Sequence, residues 1–285
     1  MHSETRGGSL GAAPTDLERP FKTAGAVALP TIALSAFVLA GFAMSTWAAA
    51  QGKLPLAAAV PLQALWGYLA FTPAHEAVHG NIAGKSARFR KAEAVLGWVM
   101  SAVLALPFSL LEYLHLQHHS HTNDPENDPD YRVAGSGVLA VAAHCWTVQL
   151  GYLRVMQRRL GDGSLAARKA VLGMRLYGLA SLLLLAASVH YDFWQWLLLL
   201  WILPMWIAQG FLAFVFDWLP HRPHTSRERY KDTRIELGNA REVLLLAQNY
   251  HLIHHLYPRV PFYRYSRCFR TVEPTLRAHG AAISD

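Results

Sequence analysis

Long stretches without a charged residue constrain this chain more than any other feature. The range 24–50 contains no Asp, Glu, Lys or Arg. As an α-helix it would be about 40 Å long, which exceeds the roughly 30 Å hydrocarbon core of a bilayer. A second apolar stretch, 54–74, follows after the short turn Gln51-Gly52-Lys53. Together they predict a transmembrane helical hairpin.

A second hairpin is predicted further along the chain. The range 171–189 carries one charge, Arg175, and the range 193–216 carries none. The turn between them is only three residues long, 190–192, and has Tyr and Trp beside it, as is typical of a membrane interface. We therefore expect four spans.

The positive charges predict the orientation. Of the 26 Lys and Arg residues, only Lys53 lies in either hairpin turn. The positive-inside rule then places both termini and the central loop in the cytoplasm, with residues 1–22 as a flexible N-terminus and the protein in a membrane of the bacterial inner type. The net charge of +7 is explained in this way, and no basic stripe with interleaved aromatic residues indicates nucleic-acid binding.

Two further apolar stretches, 92–114 and 138–160, are expected to lie in the membrane interface or to re-enter it. The first separates two histidine clusters, which would face opposite sides of the membrane if it crossed. Two cysteines are too few for a disulfide framework or a Cys₄ zinc site. We find no internal repeat. The sequence thus predicts an all-α, integral membrane helical bundle, a single domain over 1–285 with a histidine-rich cytoplasmic cap.

Three histidine clusters carry the chemistry. The first has two imidazoles four residues apart, which share one face of a helix. The second and third both have the pattern H-x-x-H-H, in which we expect the first two histidines to share a face and the adjacent third to point about 100° away. Such a segment can serve two metal ions. The clusters contain His75 and His79, then His115, His118 and His119, then His251, His254 and His255.

So many imidazoles exceed the needs of one tetrahedral zinc and predict two metal ions with open positions. In an apolar helical bundle, this favours a non-haem di-iron enzyme that uses O₂ on a lipid-soluble C–H bond. Two other interpretations remain. His75-Glu76-x-x-His79 matches the H-E-x-x-H signature of zinc metalloproteases, with Glu76 as general base. A membrane metal carrier or sensor would need no rigid pair of H-x-x-H-H segments.

Two stretches, 114–130 and 216–263, carry a family resemblance. Their Leu-His-Leu-Gln-His-His-Ser-His-Thr-Asn-Asp-Pro-Glu-Asn-Asp-Pro-Asp run and their Asn-Tyr-His-Leu-Ile-His-His-Leu-Tyr-Pro-Arg run resemble the membrane fatty acid desaturase/hydroxylase superfamily. They look most like the bacterial branch that hydroxylates C3 of the β-ionone ring of β-carotene. The resemblance implies that all eight cluster histidines bind two ferrous ions.

Further site residues follow from the same resemblance. Related desaturases have a histidine four residues after an asparagine, just past the fourth span; here Asp217 and His221 meet that spacing, and both become candidate ligands. Supporting roles beside the ligands are expected for Glu76, which would orient an imidazole, and for Asn249; His121 and His224 are expected to support a ligand or to stabilise a loop rather than to bind metal. The proline- and aspartate-rich range 124–129 is interpreted as a turn-rich loop.

The implied reaction hydroxylates a carotenoid ring with O₂ and two external electrons. The chain has no haem or flavin signature, so we expect a ferredoxin or similar donor with its reductase. The main rival is a fatty acyl desaturase, which shares every ligand. The arginines near the C-terminus are either a solvated face or a docking site for an acidic donor. They are Arg259, Arg264, Arg267 and Arg270.

Overall fold

Helices make up most of the chain in a computed structural model, which describes residues 21, 25–159 and 163–284. The predicted flexible N-terminus, 1–22, lies outside the described residues except for position 21. The helices are α1 (Leu29–Ala50), α2 (Leu56–Val78), α3 (Arg90–Val103), α4 (Phe108–His121), α5 (Val138–Cys145), α6 (Val148–Arg159), α7 (Leu165–His190), α8 (Trp194–His221), α9 (Asn239–Leu244), α10 (His251–Leu256) and α11 (Tyr265–Ala278).

The first predicted hairpin is formed by α1 and α2. Trp66 of α2 lies against Gly41 of α1, where an added Cβ would come within 2.3 Å of the indole ring, so only glycine permits this approach. The Gln63 amide donates to the Thr46 hydroxyl at 2.7 Å, a polar contact between two apolar helices. The hairpin is thus held by close packing and by polar contacts, as is usual between helices in lipid.

The second predicted hairpin is formed by α7 and α8. Leucines of α7 such as Leu179 and Leu182 are more than half exposed, which suits contact with lipid rather than water. The helix α8 contains two π-helical segments, Leu198–Ile202 and Ala213–Trp218. By length and composition, α1, α7 and α8 are able to cross a membrane, and up to five spans result if each bent helix pair counts as one. Four spans remain a prediction.

The apolar stretch between the first two histidine clusters folds back on itself. A 96° bend separates α3 from α4. His79, before α3, and His115, on α4, have their Nε2 atoms 2.9 Å apart. The stretch therefore begins and ends at the same level, and the two clusters do not face opposite sides of a membrane. The pair α5 and α6, over the other such stretch, is bent by 58°.

A small C-terminal layer, hereafter the cap, covers the histidine-bearing end of the bundle. Its core includes Tyr265, Cys268, Val272 and Leu276, which recur every three or four residues and form one buried stripe of α11. Two short strands, β1 (Arg234–Glu236) and β2 (Ala282–Ser284), pair in parallel beside this helix. The structure is mostly helical, as predicted, and this short strand pair is an addition that the sequence did not predict, because three-residue strands leave almost no alternation for a sequence to show.

Candidate metal centre

Five histidines converge into a first group, hereafter the five-histidine group. The last turn of α2 supplies His75, and His79 caps that helix. The helix α4 supplies His115 and His119, and α10 supplies His254. One ring nitrogen of each lies within 4.8 Å of all the others. Three separate helices thus direct imidazoles to a single point.

The spacing of these nitrogens matches a coordination shell. The Nε2 atom of His75 is 2.9 Å from that of His115, and the Nε2 atoms of His119 and His254 are 2.8 Å apart. Two ligands at right angles on an ion with metal–nitrogen bonds of about 2.1 Å are about 3.0 Å apart. Five neutral imidazoles have too few N–H groups to pair in every direction, whereas one cation accepts all five lone pairs.

A second group, the four-histidine group, lies beside the first. It joins His118 of α4, His221 at the end of α8, and His251 and His255 of α10, again with ligand nitrogens within 4.8 Å of one another. The Nε2 atoms of His118 and His255 are 3.3 Å apart. The nine candidate histidines thus divide between two adjacent sites.

The way each H-x-x-H-H segment divides differs from the expectation. In α4 the histidines four residues apart, His115 and His119, share the five-histidine group, and His118 faces the other. In α10 the pair His251 and His255 shares the four-histidine group, and His254 faces the other. The predicted pairing of positions i and i+3 was wrong because i+4 deviates less from one helical face. The segments do face two sites.

Unpaired ring nitrogens test whether a metal suits the four-histidine group. Both ring nitrogens of His221 and of His251 are buried and have no hydrogen-bond partner among the described residues. Burying polar atoms without partners costs free energy, which a bound cation would recover. An all-imidazole donor set suits iron, copper, zinc or nickel. The residues present therefore fit a pair of transition-metal ions.

Carboxylates hold one histidine of the four-histidine group. The His118 Nδ1 atom donates to Asp128 at 2.9 Å and lies 3.4 Å from Asp130. Burial alone would lower the pKa of His118, but Asp128 and Asp130 outweigh it and raise the pKa to about 10. Without a metal the His118 ring is therefore protonated on both nitrogens and positively charged at pH 7. A metal cation bound at Nε2 would replace that proton and its charge. A carboxylate of this kind fixes the ring and makes it a stronger ligand.

A tyrosine does the corresponding work in the five-histidine group. The hydroxyl of Tyr265, at the start of α11, lies 3.0 Å from His254 Nδ1, and both side chains are fully buried. Nothing in the sequence singled out Tyr265, because its partner His254 is eleven residues away in another helix. Asp128 was likewise assigned only to a turn. Its place in that loop gave no sign that it contacts His118.

Glu76 does not orient an imidazole, contrary to the prediction. Its Oε1 atom accepts from the Asn81 amide at 3.2 Å and from the backbone N–H of Phe262 at 3.3 Å. These contacts tie the end of α2 to the segment that precedes α11. They also argue against a metalloprotease, because the glutamate of H-E-x-x-H would have to face the metal and its water.

His121 and Asn249 contact backbone carbonyls rather than ligand side chains. The His121 ring bonds to the Gln117 carbonyl at 3.0 Å, within its own helix. The Asn249 amide donates to the Glu236 carbonyl at 2.9 Å and so holds the cap rather than a ligand. His224 is nearer, with its ring 6.1 Å from that of His221, and burial lowers its pKa to about 4. The neutral ring of His224 therefore adds no positive charge of its own to the site.

An apolar cavity, hereafter the inner cavity, adjoins the five-histidine group. It has a volume of about 60 Å³. His115, a member of the five-histidine group, lines its wall. Asp130 and Asp217 form a polar end of the cavity beside His118. Asp217 itself belongs to neither histidine group, so we leave it out of the proposed ligands. The remaining lining includes Phe71, Leu104, Leu111, Tyr152, Gln209 and Phe216.

Residues 51–285 match the fatty acid desaturase family, and the chain belongs to that family. The match includes every histidine of both groups. It confirms the predicted superfamily from evidence independent of the geometry.

Several characterised proteins are similar to the chain. A zeaxanthin 4-ketolase of Chlamydomonas reinhardtii is 27% identical over 75% of this chain and 43% of its own length. A beta-carotene ketolase of Haematococcus lacustris is 25% identical over 70% of this chain and 58% of its own. A dihydrorhizobitoxine desaturase of Bradyrhizobium elkanii is 26% identical over 51% of this chain and 48% of its own length. The chain spans about half the length of these relatives, and the prediction of an oxidoreductase is confirmed at the level of enzyme class.

Proposed function

We propose that the protein is a membrane non-haem di-iron oxygenase that oxidises the ring of a carotenoid with O₂ and external electrons. One observation carries the proposal: nine histidines, six of them buried and three partly buried, form two adjacent ligand groups, and His115 of the first group lines an apolar cavity. The family match limits the chemistry, and the ketolase relatives support a carotenoid as substrate.

The chain's own residues position the metal ligands, orient their rings and exclude water from the site. A pair of iron ions would be held by His75, His79, His115, His119 and His254 on one side and by His118, His221, His251 and His255 on the other, and would supply the activation of O₂. Asp128 and Tyr265 fix the rings of His118 and His254. The apolar wall of the inner cavity would bring one C–H bond to the site and exclude water from it.

The ring product is either an alcohol or a ketone. One turnover places one oxygen atom of O₂ in a C–H bond and reduces the other to water with two electrons and two protons. The resemblance favours this hydroxylation at C3. A ketone needs a second hydroxylation of the same carbon and then loss of water. The names of the relatives favour that outcome, at C4.

A pigment assay tests the proposal. The gene is expressed in a bacterial host that accumulates β-carotene, and extracts are chromatographed under oxygen. We expect β-carotene to be converted to a more polar ring-oxygenated product, and a His118→Ala variant to leave it unchanged. An unchanged carotenoid profile with new unsaturated acyl chains would instead support the rival acyl desaturase.

Metal analysis tests the cofactor separately. Protein purified without chelators is expected to contain two irons per chain, since nine imidazoles form two groups. A single zinc per chain with no iron would contradict the di-iron proposal whatever the pigment assay gives.

The electron donor and the orientation are also proposals. Arg259, Arg267 and Arg270 are exposed, and the helix that bears the last two also bears Tyr265, which contacts His254. This basic surface suits an acidic donor such as a ferredoxin with its reductase. If that donor is cytoplasmic, the cap and both termini are cytoplasmic as well, as the positive charges predict.

A further inference from the structure

A second apolar space lies on the outside of the bundle. It is a groove between α2 and α8, hereafter the lateral groove, with a volume of about 730 Å³. Two of its lining residues, Leu65 and Phe211, are about half exposed, so it opens sideways from the helices rather than towards the cap. Apart from the hydroxyl of Tyr68, its lining side chains are apolar: Val60, Pro61, Ala64, Leu65, Ile207, Ala208, Phe211, Val215 and Leu244.

The inner cavity is too small for the proposed substrate. Its volume of about 60 Å³ is smaller than that of a cavity which binds benzene, about 150 Å³. The lateral groove is more than ten times larger than the inner cavity. An elongated apolar molecule with a ring at its end therefore has room in the groove and not in the inner cavity alone.

Stacked aromatic rings connect the groove with the five-histidine group. Tyr68, which lines the groove, stacks on Phe216 with ring centres 6.0 Å apart. Phe216 stacks on Phe71 at 5.1 Å, and Phe71 stacks on His75 at 5.4 Å. Phe71 and Phe216 also line the inner cavity. Two phenyl rings thus separate the groove from the space beside the histidines.

The wall between the two spaces is a π-helical part of α8. The segment Ala213–Trp218 presents Val215 to the groove and Phe216 to the inner cavity. Such π-helical segments are rare and are frequently found at functional sites. Displacement of the Phe216 ring would join the two spaces.

One end of the groove lies beside the cap. The Tyr68 hydroxyl donates to the Leu244 carbonyl at 2.9 Å, which ties the end of α9 to α2. Val243 and Leu244 are both at least 70% exposed and together form an apolar ledge next to the groove. Exposed apolar residues at this place suit contact with the membrane surface, from which a lipid-soluble molecule arrives.

The geometry points to the lateral groove as the binding site for the polyene chain of the substrate, with Phe71 and Phe216 as a gate through which the terminal ring reaches the histidine groups. This inference rests on the proposed function, because the occupant is its carotenoid. The groove recognises a long, uncharged, rigid chain by apolar contact, and only the ring reaches the enlarged space that displacement of Phe216 opens beside the histidines.

A blocking substitution tests the site through kinetics. Ile207→Trp fills the groove without touching a histidine, and Leu179→Trp on the lipid-exposed face of α7 is the matched control. For β-carotene we expect Ile207→Trp to raise KM about fivefold or more with kcat within about twofold of the wild type, and the control to change neither. Equal KM values for the two variants would overturn the inference.

Photocrosslinking tests occupancy without turnover. Benzoylphenylalanine replaces Leu65 in one variant and Leu179 in another, and each is irradiated in phospholipid vesicles that contain β-carotene. We expect a saturable carotenoid adduct at position 65 and none that saturates at 179. Adducts only with phospholipid at position 65, unchanged by carotenoid, would overturn the inference and make the groove a site for lipid chains.

The two experiments also distinguish the inference from the proposed function. If the wild type leaves β-carotene unchanged, the proposed function fails, and the adduct at position 65 decides on the groove alone. If the wild type is active but the blocked variant keeps its KM, the groove proposal fails and the function stands.

Discussion

The two histidine groups differ in how they are built. The five-histidine group is compact: several of its Nε2 atoms lie about 3 Å apart, and a neutral tyrosine holds one ring. The four-histidine group has two rings with no hydrogen bond among the described residues and one ring held by carboxylates. The first group nearly completes a coordination shell with protein atoms alone. The second group leaves coordination positions open and has the carboxylates Asp128 and Asp130 beside His118. Nearby negative charge favours a more highly charged ion.

Removing one ligand from each group should give the largest effects. His251→Ala leaves three histidines in its group, and His79→Ala leaves four in the other. Metal binding weakens with each lost ligand, so we expect about one iron per chain for His251→Ala and close to two for His79→Ala. Both should lose about 100-fold or more in activity. Iron analysis that shows the same loss of metal in both would remove the distinction between the groups.

The carboxylate contact should matter only for the four-histidine group. Asp128→Asn keeps the size of the side chain but removes its charge next to His118. We expect the affinity for the second iron to fall about 10- to 100-fold, as is usual for partners of metal ligands. The exposed Glu126, in the same loop, provides the control Glu126→Gln. A weakening of both metal ions in an anaerobic titration would contradict a local role.

Tyr265→Phe should have a smaller effect on the five-histidine group. It removes one hydrogen bond to His254, worth on the order of 1 kcal/mol, which corresponds to about fivefold faster release of the first iron to a chelator. Tyr263→Phe, at a partly exposed neighbour, is the control. Unchanged release from Tyr265→Phe would mean that packing alone holds the ring.

The two groups should also respond differently to pH. Burial is the main cause that keeps the pKa values of His115 and His119 well below the usual 6.5, followed by repulsion from His75 at His115 and from His79 at His119, so these rings are neutral at pH 7. The pKa of His118 is about 10, so a metal must displace its proton. Between pH 6.5 and 8.5 we expect affinity to rise about tenfold per unit at the four-histidine group and to stay nearly constant at the other. Calorimetry in buffers of different ionisation enthalpy should show one proton released by the second ion only.

The helical hairpins and the histidine clusters were predictable because their signals are local. An uncharged stretch such as 24–50 must span or be buried, and the H-x-x-H-H spacing already places imidazoles on two faces of one helix. The resemblance added His221. The partners that orient the ligands were not predictable, because Tyr265 and Asp128 reach their histidines through turns between helices. Glu76 was misassigned for the same reason: its partner Phe262 is far away in sequence.

The fold-back of α3 onto α4 has a consequence for the order in which the centre is assembled during synthesis. Four ligands of the five-histidine group precede residue 120, and the bend of 96° brings them together without any later part of the chain. The four-histidine group has only His118 until His221 emerges. A nascent chain can therefore capture its first metal ion well before the second site exists, and α10 then completes both sites in one step.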